Sequence, residues 1–284
     1  MRAIGYYNGT MGELDKMTVP MLDRAVYFGD GCYEACMVHD GVPFALAEHL
    51  ARFGRSLGLL SIPFSMTESE LKRVLFDCIA ASEAADAVLY WQCSRGTAPR
   101  SHAFPDPSHK PNLLVMVTPK AVTDASVRMR LITVPDVRFT MCNVKTLNLL
   151  PNVLANEQAH AAGADGAVLH RDGVVTEGSH TNIHILKDGV LLTHPADKYI
   201  LRGVTRERLL HIAREAAIPV VERAFTLDAL RAADEILITS SILHVRAADT
   251  LDGQPVGGRD AARLSLLQTA YLRQFFAETE GKQA

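Results

Sequence analysis

Residues 144–159 read VKTLNLLPNVLANEQA and place a lysine just ahead of an apolar helix start. A strand is predicted over 127–134, before Lys145, and a helix is predicted over about 150–162, after it. Pro151 falls in the first turn of that helix, where a proline is tolerated because first-turn N–H groups have no intrahelical partner. This change from strand to helix indicates a mixed α/β fold, and it makes burial of Lys145 expected.

Strands and helices are predicted to alternate on both sides of this stretch. The other predicted strands cover 33–39, 87–94, 113–117, 166–170, 181–186, 190–194 and 235–240. The other predicted helices cover 48–60, a segment after the possible capping box of Thr67 and Glu70, 205–217, and a last segment after Gly258. Such alternation is typical of α/β architecture.

A polar stretch, TPKAVTDA at 118–125, separates two strand-like runs and contains a proline. Segments of this kind are common between domains. We therefore expect a smaller N-terminal α/β domain over 1–119, a linker over 120–125, and a larger, strand-rich α/β domain over 126–284.

Composition narrows the class of protein. The chain has 284 residues, 48% of them hydrophobic and 21% charged, with a formal net charge of -3. It therefore lacks the overall basic charge that attracts a protein to nucleic acid or anionic lipid. No run approaches the roughly 18 consecutive apolar residues of a membrane helix. Five cysteines without a C-x-x-C pair, and an N-terminus without an apolar signal core, predict a cytoplasmic protein with no nucleic-acid or membrane partner.

The lysines are where the chemistry is best sought. A lysine that forms Schiff bases must lose its proton easily, which partial desolvation favours. Of the eight lysines, seven lie beside turn residues, on a polar helical face or near the C-terminus, and Lys145 alone is expected to be buried. From the residues alone, a structural and a catalytic lysine remain equally open readings of Lys145.

Five motifs in order give the chain a resemblance to a known family. They are DRAVYFGDGCYE at 23–34, RGTAPRSH at 95–102, VKTLNLLPNVLANEQA at 144–159, DGVVTEGSHTNIHILKDG at 172–189 and ILRGVTRERL at 200–209. The sequence resembles the class IV aminotransferases over nearly its whole length, and RGTAPRSH makes it most similar to the D-amino-acid branch. The resemblance implies the two-domain architecture called fold type IV and the cofactor pyridoxal 5′-phosphate.

The resemblance also implies roles for individual residues around the cofactor. Lys145 would form the Schiff base and then move the α-proton of the substrate as general acid and base. Glu177 would pair with the pyridine nitrogen and keep it protonated. The residues implied for the phosphate, with the last two alternatively implied for the substrate carboxylate, are Arg52, Gly203, Val204, Thr205, Ser240 and Ser241.

Simpler interpretations of these residues exist without the family match. A helix start near Thr205 can receive an anion on its free N–H groups, but Gly203 is more often only a turn and Thr205 only an N-cap. Arg52 would be an exposed arginine, and Glu177 a surface glutamate in a turn.

For the substrate, the resemblance implies that Tyr33, Arg100 and His102 hold the α-carboxylate. It also implies that the loop carrying Arg100 reaches the active site of a neighbouring subunit, which predicts a homodimer with shared sites. The chain departs from the family pattern at His180, which follows Ser179 where the D-amino-acid enzymes carry small hydroxyl residues. His180 and His184 do not supply a recognised metal ligand set, and no metal site is assigned.

The predicted reaction is a ping-pong transfer of the amino group of a D-amino acid, such as D-alanine, to a 2-oxo acid, such as 2-oxoglutarate. Three alternatives stay open from the sequence. They are a branched-chain or (R)-amine aminotransferase, a 4-amino-4-deoxychorismate lyase on the same scaffold, and a cofactor-free binding protein that has lost activity.

Overall fold

A computed structural model describes residues 1–280, and its contacts divide the chain into two compact units. Unit 1 comprises Met1–Val122, Val144–Asn148 and residues 276–280, and unit 2 comprises Thr123–Asn143 and Leu149–Phe275. The chain thus leaves unit 1 within the segment 120–125 and returns to it for the five residues around Lys145. The domain limits 1–119 and 126–284 stay a prediction.

Unit 1 is built on an antiparallel sheet of six strands in the order β2-β1-β6-β5-β3-β4. The strands are β1 (Ile4–Tyr7), β2 (Thr10–Glu13), β3 (Gly31–His39), β4 (Val42–Pro43), β5 (Ala87–Ser94) and β6 (Asn112–Pro119), and the helices are α1 (Arg24–Phe28), α2 (Leu46–Leu59) and α3 (Glu68–Ser82). A short 3-10 turn, Leu14–Lys16, follows β2.

Helices α2 and α3 lie on this sheet because each has one apolar face that needs cover. Leu75 of α3 and Leu89 and Trp91 of β5 are fully buried in one cluster. The predicted capping box is confirmed, since Thr67 and Glu70 exchange hydrogen bonds at the start of α3. Burial alternates along β5, as expected for a strand with one covered face.

The segment 144–148 joins unit 1 by pairing with the start of β3. The Tyr33 N–H donates to the Lys145 carbonyl at 2.9 Å, and the Leu147 N–H donates to the Gly31 carbonyl at 3.1 Å. Gly31 permits this approach, because a Cβ there would lie 2.3 Å from the Cys93 carbonyl oxygen and 2.8 Å from Leu147.

Unit 2 contains a mixed sheet in the order β12-β11-β10-β13-β14-β7-β8-β9, with β15 paired to β14. Its strands are β7 (Met129–Pro135), β8 (Gly166–Arg171), β9 (Val174–Gly178), β10 (Asn182–Lys187), β11 (Val190–Thr193), β12 (Val220–Glu222), β13 (Glu235–Ser240), β14 (His244–Leu251) and β15 (Gln254–Pro255). Its first three helices are α4 (Leu150–Ala161), α5 (Val204–Glu215) and α6 (Leu227–Arg231), and the last helix of the chain is α7 (Ala261–Thr279).

The mixed α/β class predicted from the sequence is confirmed, with a strand-rich second unit. Pro151 stands in the first turn of α4 as expected. Helix α5 begins at Val204 with Gly203 as its N-cap, so the reading of Thr205 as an N-cap is wrong. Among residues 1–280, no helix is both long enough and apolar enough to cross a membrane.

Replacing Gly31 by alanine should destabilise the protein by about 1 to 3 kcal/mol, because the added methyl group has no room against backbone. Urea unfolding of Gly31→Ala against wild type measures the change. Gly54→Ala is the matched control, since nothing lies within 4 Å of a Cβ there and alanine is the better helix former. Equal stability of Gly31→Ala and wild type would contradict the close packing described for this position.

Candidate active site

Lys145 lies against Tyr33 in unit 1. Its Nζ is 4.3 Å from the centroid of the Tyr33 ring, a distance at which an ammonium is attracted to the aromatic face. Its backbone N–H donates to the Ser56 hydroxyl of α2 at 3.4 Å. Lys145 is half-buried, so its amine is held at the ring rather than extended freely into solvent.

A buried charge cluster lies on α2 and β3 beside this lysine. Glu34 accepts hydrogen bonds from Arg52 Nε at 2.8 Å and Nη2 at 2.7 Å, and His49 Nδ1 lies 2.7 Å from the same carboxylate. Arg52 is only 4% exposed, so the reading of it as an exposed arginine is wrong. Burial raises the pKa of Glu34, but the charge and hydrogen bonds of Arg52, with those of His49, outweigh it and lower the pKa to about 2.

The surroundings of His49 lower its pKa. Burial lowers the pKa of His49, and the charges of Arg52 and Lys145 act in the same direction, against the opposing effect of Glu34. Lys145 is therefore close enough to the cluster for its charge to act on His49.

Arg100 and His102 lie on an exposed loop of unit 1 and meet at one aromatic ring. The Arg100 guanidinium carbon is 5.0 Å from the Phe28 ring centroid, and the His102 ring centroid is 5.1 Å from it. A cleft of about 250 Å³ adjoins them and is lined by His102, Phe28 and Thr146, among others. The loop therefore presents the His102 side chain to the same cleft as Thr146, the residue that follows Lys145.

Glu177 is the centre of a second charge cluster, in unit 2. It is 6% exposed, and Oε1 forms an ion pair with Arg138. Its Oε2 accepts hydrogen bonds from the Asn182 side chain at 3.0 Å and from the Leu201 N–H at 2.9 Å. The reading of Glu177 as a surface glutamate is therefore wrong.

Arg138 also binds Asp136, which fixes its guanidinium. Two hydrogen bonds of 2.9 Å join Arg138 to the Asp136 carboxylate. Burial raises the pKa of Asp136, but the hydrogen bonds and charge of Arg138 prevail and lower it to about 2. Burial lowers the pKa of Arg138, but its hydrogen bonds to Asp136 and the charge of Glu177 prevail and raise it, so Arg138 stays charged.

The start of α5 forms an open N-terminus close to Glu177. Gly203 is an extended N-cap without a side-chain hydrogen bond to the first turn. A Cβ at Gly203 would lie 2.1 Å from Asn182 Oδ1, so only glycine fits against the side chain that binds Glu177. Val204 and Thr205 open the helix, and the Thr205 hydroxyl lies 3.2 Å from the Tyr271 hydroxyl.

The remaining residues of unit 2 that the sequence singled out lie near strand ends or within a strand. Ser240 ends β13, and its hydroxyl accepts a hydrogen bond from the Leu243 N–H at 3.0 Å. Ser241 is half-buried in the same turn. His180 is exposed with its Nδ1 3.1 Å from the Ser179 hydroxyl, while His184 is buried with its Nε2 2.9 Å from the Thr239 hydroxyl.

Sequence reasoning missed the partners of the candidate residues. Glu34 had a signal, because a carboxylate in the middle of the apolar strand GCYEACMVH needs a buried cation. Arg138 and Asn182 had none, since nothing in the sequence tells a buried arginine or asparagine from an exposed one. The position of His49 beside Arg52 can be predicted only after α2 is assigned as a helix, because the two residues then lie one helical turn apart.

Comparison with known proteins gives one consistent result. The amino-transferase class IV family matches residues 31–249. The chain is 36% identical over 276 residues to the D-alanine aminotransferase of Bacillus licheniformis, covering 96% of this chain and 97% of that protein. Its fold is similar to that of the branched-chain amino acid aminotransferase of Escherichia coli, with a TM-score of 0.88, 23% identity and coverage of 100% and 98%. A fold IV transaminase of Curtobacterium pusillum gives a TM-score of 0.83, 23% identity and coverage of 98% and 100%.

The Glu34 cluster should make the stability of the protein depend on pH. Glu34→Gln leaves Arg52 buried without its carboxylate, which should destabilise the protein at neutral pH by about 3 to 5 kcal/mol. Because the pKa of Glu34 is lowered from 4.5 to about 2, its contribution is complete above pH 4.5 and is lost as the pH falls towards 2. The difference between the two proteins should therefore shrink on acidification.

Urea unfolding at neutral pH and near pH 3 measures this difference. Glu48→Gln, which changes an exposed glutamate of α2, the helix that carries Arg52, is the control and should change stability little at either pH. A Glu34→Gln deficit that is equal at both pH values would show that Glu34 is not held ionised.

Proposed function

Since this chain belongs to the class IV aminotransferases, we propose that it transfers the amino group of a D-amino acid, such as D-alanine, to a 2-oxo acid, such as 2-oxoglutarate. The cofactor is pyridoxal 5′-phosphate, and the reaction proceeds as a ping-pong exchange. The D preference is supported by the 36% identity to D-alanine aminotransferases over most of the chain.

The observation that carries the proposal is the position of Lys145. Backbone hydrogen bonds to β3 and Ser56 hold it beside Tyr33, while the other lysines of the described chain lie on surface elements or turns. A lysine fixed in this way suits covalent attachment of a carbonyl cofactor.

The residues of unit 2 fit an anionic, aromatic cofactor. The first turn of α5 has no side-chain cap, and first-turn N–H groups have no intrahelical partner, which suits a phosphate at a helix N-terminus. Gly203, Val204 and Thr205 would supply these donors. We propose two further phosphate partners from unit 2, Ser240 and Ser241. One partner is proposed from unit 1, the buried guanidinium of Arg52.

Glu177 is proposed to bind the pyridine nitrogen. The chain keeps it ionised through Arg138, which Asp136 holds in place. When bound, pyridoxal phosphate accepts the electron pair that the substrate Cα retains on losing its proton, and a protonated ring does so best. Glu177 therefore serves by keeping a negative charge at that nitrogen.

The proton and the carboxylate are handled by unit 1. Lys145, once free, is proposed to take the proton from Cα of the donor in the first half-reaction and to give a proton to Cα of the new amino acid in the second, which its amine can do as base and as acid. Tyr33, Arg100 and His102 are proposed to hold the substrate α-carboxylate, Arg100 with its two-pronged donor group. The loop with Arg100 and His102 is proposed to reach the site of the neighbouring subunit, so that the sites of a homodimer are shared. Fixing the carboxylate fixes which Cα–H bond faces the lysine, and so the stereochemistry.

A homodimer is part of the same proposal, and α4 supports it. This helix buries small residues, Ala155 and Ala159, and exposes Leu150, Val153 and Leu154 at 68%, 59% and 53%. Three large apolar residues on one exposed helical stripe are typical of a surface covered in an assembly.

A cytoplasmic location is proposed from the five buried cysteines, all free thiols.

Lys145→Ala should lower kcat by roughly 10³-fold or more, because both the covalent bond and the proton carrier are lost. Steady-state rates and the visible absorption of the purified protein measure both effects. Lys120→Gln, at an exposed position, should leave rate and absorption unchanged. A Lys145→Ala variant that works within tenfold of wild type would refute the assignment.

The proposed reaction is tested by product analysis. With D-alanine and 2-oxoglutarate together, the enzyme should form pyruvate and D-glutamate in equal amounts. When 2-oxoglutarate is left out, D-glutamate should not form, and pyruvate should not exceed one equivalent per active site. Continuous pyruvate release from 4-amino-4-deoxychorismate, without any added 2-oxo acid, would indicate the lyase instead. Turnover of L-leucine but not D-alanine would assign the protein to the branched-chain enzymes.

The exposed stripe of α4 predicts a change of assembly. Leu154→Asp should convert the dimer to a monomer in sedimentation velocity, because a charge would be buried unpaired at the interface. Leu266→Asp, which places the same charge at an exposed leucine of α7, should leave the dimer intact. If Leu154→Asp stays dimeric, α4 lies outside the interface.

A further inference from the structure

Arg24 is a buried arginine to which the proposed chemistry gives no part. It is 3% exposed and begins helix α1. Its Nε donates to Asp30 Oδ2 at 2.7 Å, and its Nη1 donates to the Ser101 carbonyl at 2.8 Å. Its side chain therefore reaches from α1 to the loop that carries the proposed carboxylate-binding residues.

Ser101 lies between the two residues of this loop that are proposed to bind the substrate carboxylate. Arg100 precedes it and His102 follows it, and both side chains contact the Phe28 ring at the end of α1. The Tyr27 hydroxyl adds a hydrogen bond to the Ala98 carbonyl at 2.8 Å. Arg24 and Tyr27 of α1 thus bind the backbone of the loop, and Phe28 of α1 contacts the side chains of the loop.

We propose that Arg24, together with Phe28, is a positioning residue for the substrate carboxylate, acting through Arg100 and His102. This inference rests on the proposed function, in which those two residues bind the carboxylate. Both are exposed, so an unrestrained loop would have to be ordered by each substrate molecule at a cost in affinity. Arg24 orders the loop in advance.

Asp30 makes Arg24 a suitable residue to test. The same carboxylate accepts hydrogen bonds from Arg95 Nε at 3.1 and 2.9 Å. Arg95 in turn donates to the Leu60 and Ser61 carbonyls at 2.8 and 2.9 Å. Removing Arg24 therefore leaves Asp30 paired with Arg95, and the main expected loss is the hold on Ser101.

The experiment compares the holoenzymes of wild type, Arg24→Met, Arg24→Lys and Phe28→Leu with D-alanine and saturating 2-oxoglutarate. Arg24→Met should raise KM for D-alanine by about tenfold or more, with kcat within threefold and the visible cofactor absorption and Tm close to wild type. Arg24→Lys keeps one donor group but loses the planar guanidinium with its several donors, so its KM for D-alanine should lie between those of wild type and Arg24→Met. Phe28→Leu should also raise KM selectively.

Arg73→Met, at an exposed arginine of α3, is the matched control and should leave KM unchanged. An unchanged KM in a folded Arg24→Met holoenzyme would overturn the inference, as would a parallel fall of kcat and Tm, which indicates a merely structural role. If Arg24→Met does not fold, the KM of Phe28→Leu decides in the same way. Wild type that fails to turn over D-alanine would remove the proposed function, and this inference with it.

Discussion

The backbone pairing between β3 and residues 145–147 is the constraint on which the proposed site depends. Two hydrogen bonds, from Tyr33 to Lys145 and from Leu147 to Gly31, bring a lysine from the middle of the chain to a strand near its start. The approach needs a residue without a side chain at 31. Because the peptide groups carry the pairing, the position of the amine does not depend on any ion pair of its own.

Each ionised carboxylate near the proposed chemistry has an arginine as its partner. Glu34 binds Arg52, Glu177 binds Arg138, and Asp30 binds Arg24 and Arg95. Buried charges are stable only when paired and hydrogen-bonded, so each pair fixes the orientation of both members. The pairs keep Glu34 ionised and fix charged groups beside residues that are proposed to bind the cofactor and the substrate carboxylate.

Much of the fold could be predicted from local pattern. The strands 33–39 and 87–94 and the helix at 150 were predictable because apolar spacing and turn residues mark them clearly. Strands β1 and β2 were not, since four-residue strands of mixed polarity have no measurable period. In the proposed site, the choice of Lys145 and Glu177 rests on the family motifs and stays a prediction. The burial of Arg52 could not be predicted, because its partner Glu34 lies on a strand that only the folded chain brings close.

The central claim is that Lys145 and the proposed carboxylate-binding residues act on a D-amino acid. It is tested most directly by following the visible spectrum of the holoenzyme during single additions of D-alanine, L-alanine or L-leucine, with no 2-oxo acid present. The account predicts that D-alanine alone converts the lysine-bound cofactor to its aminated form, and that 2-oxoglutarate restores the first spectrum. A spectrum that responds to L-leucine and not to D-alanine would contradict it.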